Sequence, residues 1–409
     1  MNIDATRVIV DLDELAAASG GRFSGAKRAA WSDGWNHARG WLQEKLERLP
    51  VTVTVDPAGN LWAELKGESE RCIVLGSHLD SVSNGGWLDG VLGVCAAVEA
   101  LRALAEAGPG PRPLTVKLVD WADEEGRFGR SLVGSSAVAG TLDPDEVRDL
   151  VDAEGVRLQD AMAACGVNLD DARSASVMLR GALAYVELHV EQGPVLLDSG
   201  RPASAVAGTF GAERYLITFA GQAAHAGSTP MGLRRDSFLA AAAAALAIRE
   251  VGIRHEGLTT VGGATSCPGV PTAVAGTTEI MLDIRHLDGD TLGAMLEECL
   301  AASDQAAQQF DCSVSAKRVF QAAPTGFSDE LVSIARSAVA DAGGGDGPPI
   351  PSGALHDATE IGRVVPAVMI FAQSDPPLSH TQTEDSPEKA LRVAIDAFGR
   401  TVDRVLARA

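Results

Sequence analysis

Between residues 213 and 320 the apolar pattern completes a unit of its own, and that most limits what the chain can become. A strand over 213–220, an Ala-rich helix over 237–250 and a strand over 258–264 come first. A strand over 277–285, a helix over 291–310 and a strand over 313–320 follow. This βαββαβ order is the split, ferredoxin-like arrangement, which can fold independently. On both sides of it the pattern is different. Before it come a helix over 31–49 with Ser32 as N-cap, and strands over 51–55 and 61–65 joined by the Asp56-Pro-Ala-Gly-Asn60 turn. A strand over 72–76, a helix over 90–107 and a strand over 114–122 complete that part. After Pro324 come a helix over 331–342, a Gly/Pro-rich loop, an apolar run over 367–372 and a closing helix over 387–407. The expectation is an α/β protein whose sheet is covered on both faces, built discontinuously from 1–208 and 322–409, with 209–321 inserted as a second domain.

Composition narrows the class of partner. The chain has 34 Lys and Arg against 55 Asp and Glu, a net charge of −21. Phosphate binding needs clustered cations, so nucleic acid and anionic membrane surfaces are excluded as main partners. No apolar run reaches the length of a membrane helix. The start, Met1-Asn-Ile-Asp, has neither the basic nor the apolar part of a secretory leader. Six scattered cysteines form no CxxC pair, so a reducing cytoplasm is expected, with the thiols as packing residues.

Four clusters carry chemistry. In Gly76-Ser-His-Leu-Asp-Ser-Val82, His78 and Asp80 are two apart on an extended segment and project to one side; Asp89 follows in the Gly-flanked turn before a helix. A ligand, an orienting carboxylate and a bridging carboxylate have this form, and so does a polar strand end with a helix-capping Asp. In Asp120-Trp-Ala-Asp-Glu-Glu-Gly126, adjacent Glu124 and Glu125 can diverge, one toward a metal and one toward a water; a solvated acidic loop reads the same way. Glu187, His189 and Glu191 alternate with Leu188 and Val190, giving a strand with one polar face, functional or merely amphipathic. His380 lies in a loop, where a lone histidine is usually a surface residue. Together, His78, Asp89, Glu125, His189 and His380 make five N/O ligands with one carboxylate free to bridge. Such a set suits two Zn²⁺, with Mn²⁺, Co²⁺ or Ni²⁺ as alternatives. Neither GxSxG nor a GxxxxGK[ST] phosphate loop competes.

On these residues the chain resembles the hydantoinase/carbamoylase family of amidases, within the dinuclear-zinc aminoacylase and carboxypeptidase class. The likeness runs from Asp56-Pro-Ala-Gly-Asn60 to Ser379-His380, and its most diagnostic piece is His189-Val-Glu-Gln-Gly-Pro194. Also matching are Glu124-Glu125-Gly126, His225-Ala-Gly-Ser-Thr-Pro-Met231 with Arg235-Asp236, Asp283-Ile-Arg285 and Ser352-Gly-Ala-Leu-His-Asp-Ala358.

The resemblance implies a zinc-aminopeptidase-like mixed-sheet catalytic domain with a ferredoxin-like lid and dimerisation domain, and hence a homodimer. It implies that Asp89 bridges two divalent ions and that Glu124 is the general base. Asp80 would fix the tautomer of His78. His225 would stabilise the oxyanion, typically of the partner subunit's site. Arg285 would grip a substrate carboxylate and Gln192 a ureido group, with His356 and Asp357 lining the pocket or backing it. Two positions depart from the family pattern: Thr272 stands where an Asn is usual, and Leu355 where a Gly is. Both lie on the substrate side. The implied small-molecule substrate is an N-carbamoyl-L-amino acid or related ureido acid; an allantoate-type ureido hydrolase or an N-acyl-amino-acid amidase is the alternative. A non-catalytic binding protein or an oligomerisation module on the same fold are the readings from other classes.

Overall fold

A computed structural model describes residues 1, 3–108 and 112–408. It divides into two compact units, Met1–Gly208 with Gly326–Ala409, and Thr209–Thr325.

The first unit is built on a mixed sheet whose strands, in chain order, are β1 (Thr52–Val55), β2 (Leu61–Leu65), β3 (Cys72–His78), β4 (Thr115–Trp121), β5 (Ala182–Val190) and β6 (Ala203–Thr209). In the second unit follow β7 (Gly211–Ala220), β8 (Leu258–Cys267), β9 (Thr277–His286) and β10 (Ser313–Ala322); β11 (Ala367–Ala372) returns to the first. The order across the large sheet is β1-β2-β4-β3-β5-β11-β6. β4, β3, β5 and β11 run parallel, whereas β1, β2 and β6 join antiparallel.

Side-chain alternation splits this sheet into two apolar layers. Ile73, Leu75, Val186, Leu188 and Ile370 face a layer that includes helices α1 (Ala5–Ala18), α2 (Asp33–Leu46) and α3 (Val91–Glu106). Cys72, Val74, Tyr185, Met369 and Phe371 face the other layer, packed with Trp31, Trp35, Trp62 and Trp121. Trp62 and Trp121 meet edge-on at 5.4 Å, and the Trp121 indole N–H donates to the Tyr185 hydroxyl. Ser32 caps α2 as expected, its hydroxyl accepting from the Trp35 amide. The Asp56 turn has its own brace, since the Asp56 carboxylate accepts from Ala58, Asn60 and the Trp62 indole.

In the second unit the sheet order is β10-β7-β9-β8, all neighbours antiparallel. The helices α4 (Ser237–Arg254) and α5 (Gly289–Gln309) pack on it through Ile217, Phe219, Ala244, Ile280, Leu282 and Met295. This is the ferredoxin-like order that the patterning predicts. Among the described residues no helix is long and apolar enough to cross a membrane.

Candidate metal centre

Parallel strands bring their carboxyl ends to one side of a sheet, and there the predicted ligands meet. His78 closes β3, His189 lies one residue from the end of β5, and Glu125 sits in the turn after β4. Asp89 directly precedes α3, and His380 lies in the loop between β11 and the last helix. The predicted ligands form two groups, with ligand atoms within 4.8 Å of one another, His78, Asp89 and His189, and Asp89, Glu125 and His380; a third such group joins His189 to Glu187 and His356. Asp89 belongs to the first two. Its Oδ1 lies 3.7 Å from His78 Nε2 and 3.2 Å from His189 Nε2, while its Oδ2 lies 3.5 Å from His380 Nε2. One carboxylate thus offers one oxygen to each group, as a bridge between two cations requires.

The ring nitrogens are prepared for cations. His78 Nδ1 donates to the Asp80 carbonyl at 3.1 Å, and His189 Nδ1 to the Val190 carbonyl at 2.9 Å. Both rings therefore turn Nε2 inward; on His78 it carries a bare lone pair, and on His189 it faces Asp89. The Gly90 amide points at His189 Nε2, and His78 Nε2 is buried without a hydrogen-bond partner. Such an orphaned acceptor, among carboxylates, fits a divalent cation. Gly90 is required by this packing: at φ +68° a Cβ there would fall 2.5 Å from the His78 ring.

Electrostatics divide the groups. Burial pulls His78 down to about 3. Burial also acts to lower His189, but the hydrogen bond and charge of Asp89 outweigh it and raise the ring to about 9. His380 is raised to about 9, first by its hydrogen bond to Glu125. Burial lifts Glu124 well above the ordinary carboxylate range, with the charges of Asp357 and Glu125 adding to it. A pocket carrying this many buried carboxylates holds protons or cations.

Glu124 and Glu125 diverge as expected. Glu124 Oε2 lies 3.6 Å from His78 Nε2, and Glu125 Oε2 lies 3.2 Å from His380 Nε2. Asp80 differs from expectation in how it acts. Its main-chain carbonyl, not its carboxylate, accepts the hydrogen bond from His78 Nδ1; the carboxylate accepts from the Glu124 and Glu125 amides at 3.3 and 3.1 Å. It anchors the turn that carries the two glutamates.

β5 is a central strand rather than an edge, and Glu187 and His189 on its polar face are both buried. Glu187 is buried against Ser77, Tyr185 and the Ala358 amide, whereas Glu191 turns away to accept from the Val195 and Leu196 amides. Gln192 donates to Asp89 Oδ2 at 2.9 Å and to Ser379, leaving its Oε1 buried without a partner. His356 does not line an open pocket. Its Nε2 hydrogen-bonds Ser352, and its ring is wedged between His189 and Phe371 at 4.5 and 5.6 Å. Leu355 beside it is half-buried.

Sequence reasoning missed two charged groups here. Glu384 is fully buried and accepts from the Leu88 and Asp89 amides and the Ser379 hydroxyl. Arg28 is buried too, donating to the Leu79 carbonyl between His78 and Asp80. Neither sits in a recognisable motif; the four-residue step from His380 to Glu384 is the nearest to a signal.

In the second unit, His225 Nδ1 accepts from the Gly227 and Ser228 amides, so its proton sits on the exposed Nε2. Thr272 is adjacent through its carbonyl, which accepts from Ala226. Arg285 is elsewhere. On β9, Thr277 pairs with Ala220 near His225, whereas Arg285 pairs with Ala212. Eight strand steps at about 3.3 Å each put roughly 26 Å between those ends. The Arg285 guanidinium donates to Asp283, which also accepts from Arg214.

The model of peptidase family M20/M25/M40 matches residues 74–404. The chain is 34% identical to an N-carbamoyl-L-amino acid amidohydrolase of Geobacillus stearothermophilus, over 96% of each chain. It is 31% identical to an allantoate amidohydrolase of Bacillus subtilis, over 95% of this chain and 94% of that one. A solved hydantoinase/carbamoylase family amidase from Burkholderia multivorans superposes with a TM-score of 0.89 at 28% identity, covering 98% of both.

Proposed function

Because the chain belongs to peptidase family M20/M25/M40, among the hydantoinase/carbamoylase amidases that hydrolyse C–N bonds other than peptide bonds, we propose that it cleaves the carbamoyl bond of an N-carbamoyl-L-amino acid or close ureido acid. The observation that carries this reading is Asp89, with one oxygen toward His78 and His189 and the other toward His380. His78, Asp89, Glu125, His189 and His380 would hold two divalent ions, Zn²⁺ first and Mn²⁺, Co²⁺ or Ni²⁺ as alternatives. When bound, such ions lower the pKa of a water and polarise a carbonyl.

Glu124, beside His78 Nε2, takes the proton of the attacking water and returns it to the leaving nitrogen. Asp80 holds Glu124 in place through its amide. The unpartnered Gln192 Oε1 accepts from the terminal NH₂ of a ureido group. An N-acyl substrate lacks that donor, which favours the ureido class over the acyl class. His225 hydrogen-bonds the developing oxyanion through its Nε2–H, and Arg285 exchanges Asp283 for the substrate carboxylate. Thr272 and Leu355 set which side chain and carboxylate geometry are accepted.

The length of β9 between its Thr277 end and Arg285 favours a second copy supplying one of the two groups. The surface of the second unit supports a homodimer. β8 is an edge strand without a single charged residue, and Leu239, Leu246 and Ile253 recur every seven residues along α4, Leu246 being 71% exposed. Six unpaired cysteines suit a reducing cytoplasm.

The test is ammonia release from a panel of N-carbamoyl, ureido and N-acyl acids with added Zn²⁺, Mn²⁺, Co²⁺ or Ni²⁺. Turnover of N-carbamoyl-L-amino acids above the rest is expected; no turnover of any of them sinks the proposal. Allantoate preferred over all would replace it with the second reading.

A further inference from the structure

Glu384 has no part in the chemistry above, yet its burial is complete and every bond it makes ends on a ligand-bearing segment. One carboxylate oxygen accepts from the Leu88 and Asp89 amides at 3.1 and 3.0 Å. The other accepts the Ser379 hydroxyl at 2.6 Å. Ser379 Oγ also lies 3.0 Å from Asp89 Oδ2, so Glu384 reaches Asp89 through its backbone and, by way of Ser379, through its carboxylate. Among the described residues no ion pair includes Glu384. A buried carboxylate with no cation in direct contact opposes folding, and a protein retains one where geometry demands it.

The opposite wall is shaped for it. Gly86 is buried, and a Cβ there would fall 2.0 Å from Glu384 Oε1 and 2.1 Å from Cδ. The two cation positions are unequally supported. His78 and His189 are fixed by the hydrogen-bond ladders of β3 and β5. His380 is 54% exposed, in a loop, at φ +57°. That loop is tied to Asp89 by Ser379, and Glu384 holds Ser379 while its own amide closes the loop onto the Thr381 carbonyl.

We propose that Glu384 is a positioning residue that locks Asp89 to the His380 loop, and so sets the affinity of the Asp89–Glu125–His380 position while leaving the His78–Asp89–His189 position largely intact. This rests on the two-cation reading given above. Glu384→Gln keeps one acceptor for the two amides and gains a donor for Ser379, leaving the Ser379 proton to Asp89. Glu384→Ala removes the lock. Gly86→Ala displaces the carboxylate without removing it.

The experiment is stepwise Co²⁺ titration of wild type and the three variants, read by visible absorption and by metal content after gel filtration, with melting temperatures alongside. In wild type two equivalents bind. In Glu384→Ala and Gly86→Ala the second equivalent weakens by about 10- to 100-fold and the first changes by less than about threefold. Glu384→Gln retains both. If Glu384→Ala does not fold, Gly86→Ala carries the same comparison. Equal weakening of both equivalents, or no weakening of either, overturns the proposal alone. A wild type that binds fewer than two equivalents overturns the two-cation reading and this proposal with it.

Discussion

The two units place their polar groups in opposite ways. The first draws residues from His78 to Glu384 into one cluster, buried except toward His380, with His78, His189 and Glu384 hydrogen-bonded to the backbone. The second puts His225 on a two-residue strand paired with Ala273, outside the four-stranded sheet that carries Arg285, with His225 exposed and Arg285 engaged with Asp283. Burial gives the first a fixed geometry that one chain completes alone. The second holds its polar groups on separate strand pairings, and on our reading they act on one substrate only when two copies meet.

The sharpest way to break the first half of that contrast is Glu124→Gln. Activity should fall by about 10²- to 10⁴-fold with metal content unchanged; equal activity would remove Glu124 as the base. For the second half, His225→Ala and Arg285→Ala should each lower kcat/KM by about 10²- to 10³-fold. Mixing them as co-expressed chains should restore roughly half the wild-type rate per mixed pair, because one of its two sites is then intact. A mixed pair as inactive as its parents would mean that both groups serve from a single copy.

A smaller effect concerns protons. His189 and His380 are raised from 6.5 to about 9 in the metal-free fold. Between those values the folded chain holds protons that the unfolded chain has released, so stability is full below pH 6.5 and is lost as pH rises toward 9. A cation must displace the same protons, so its affinity should rise across that window, by up to about tenfold per pH unit for each proton. Calorimetry at pH 6.5 and 8.5, with and without Zn²⁺, checks both directions; a metal-free melting temperature that climbs with pH would contradict the assignment. The smallest expected change is Gly90→Ala, whose Cβ presses on the His78 ring and should cost about 1–3 kcal/mol in a urea titration.

Much of this was legible in the residues. The ferredoxin-like order reads from apolar periodicity because each of its elements buries one face, and the ligands read from strand-end placement. What escaped depends on three-dimensional closure. Glu187 and Glu191 share a period with His189, but the first is buried by tertiary packing, whereas the strand ends at Val190 and the second accepts from the amides of the following turn. For His356, whose motif left lining and backing roles both open, only the fold shows the bond to Ser352 and the packing against His189 and Phe371. Asp80 orients His78 through a carbonyl, which every residue possesses and no sequence pattern can mark. Glu384 lies almost 300 residues from the Gly86 it packs against, and nothing local pairs them.

The aromatic layer has a spectroscopic consequence. All six tryptophans fall between residues 31 and 121, within the first unit, and none lies in Thr209–Thr325. Intrinsic indole emission therefore reports on one unit and is blind to the other. Trp87, buried two residues before Asp89 with Arg22 stacked 3.7 Å from its ring centroid, is placed to sense an ion arriving at the centre. Far-ultraviolet circular dichroism follows both units, so any melting transition seen there but not in fluorescence belongs to the βαββαβ unit.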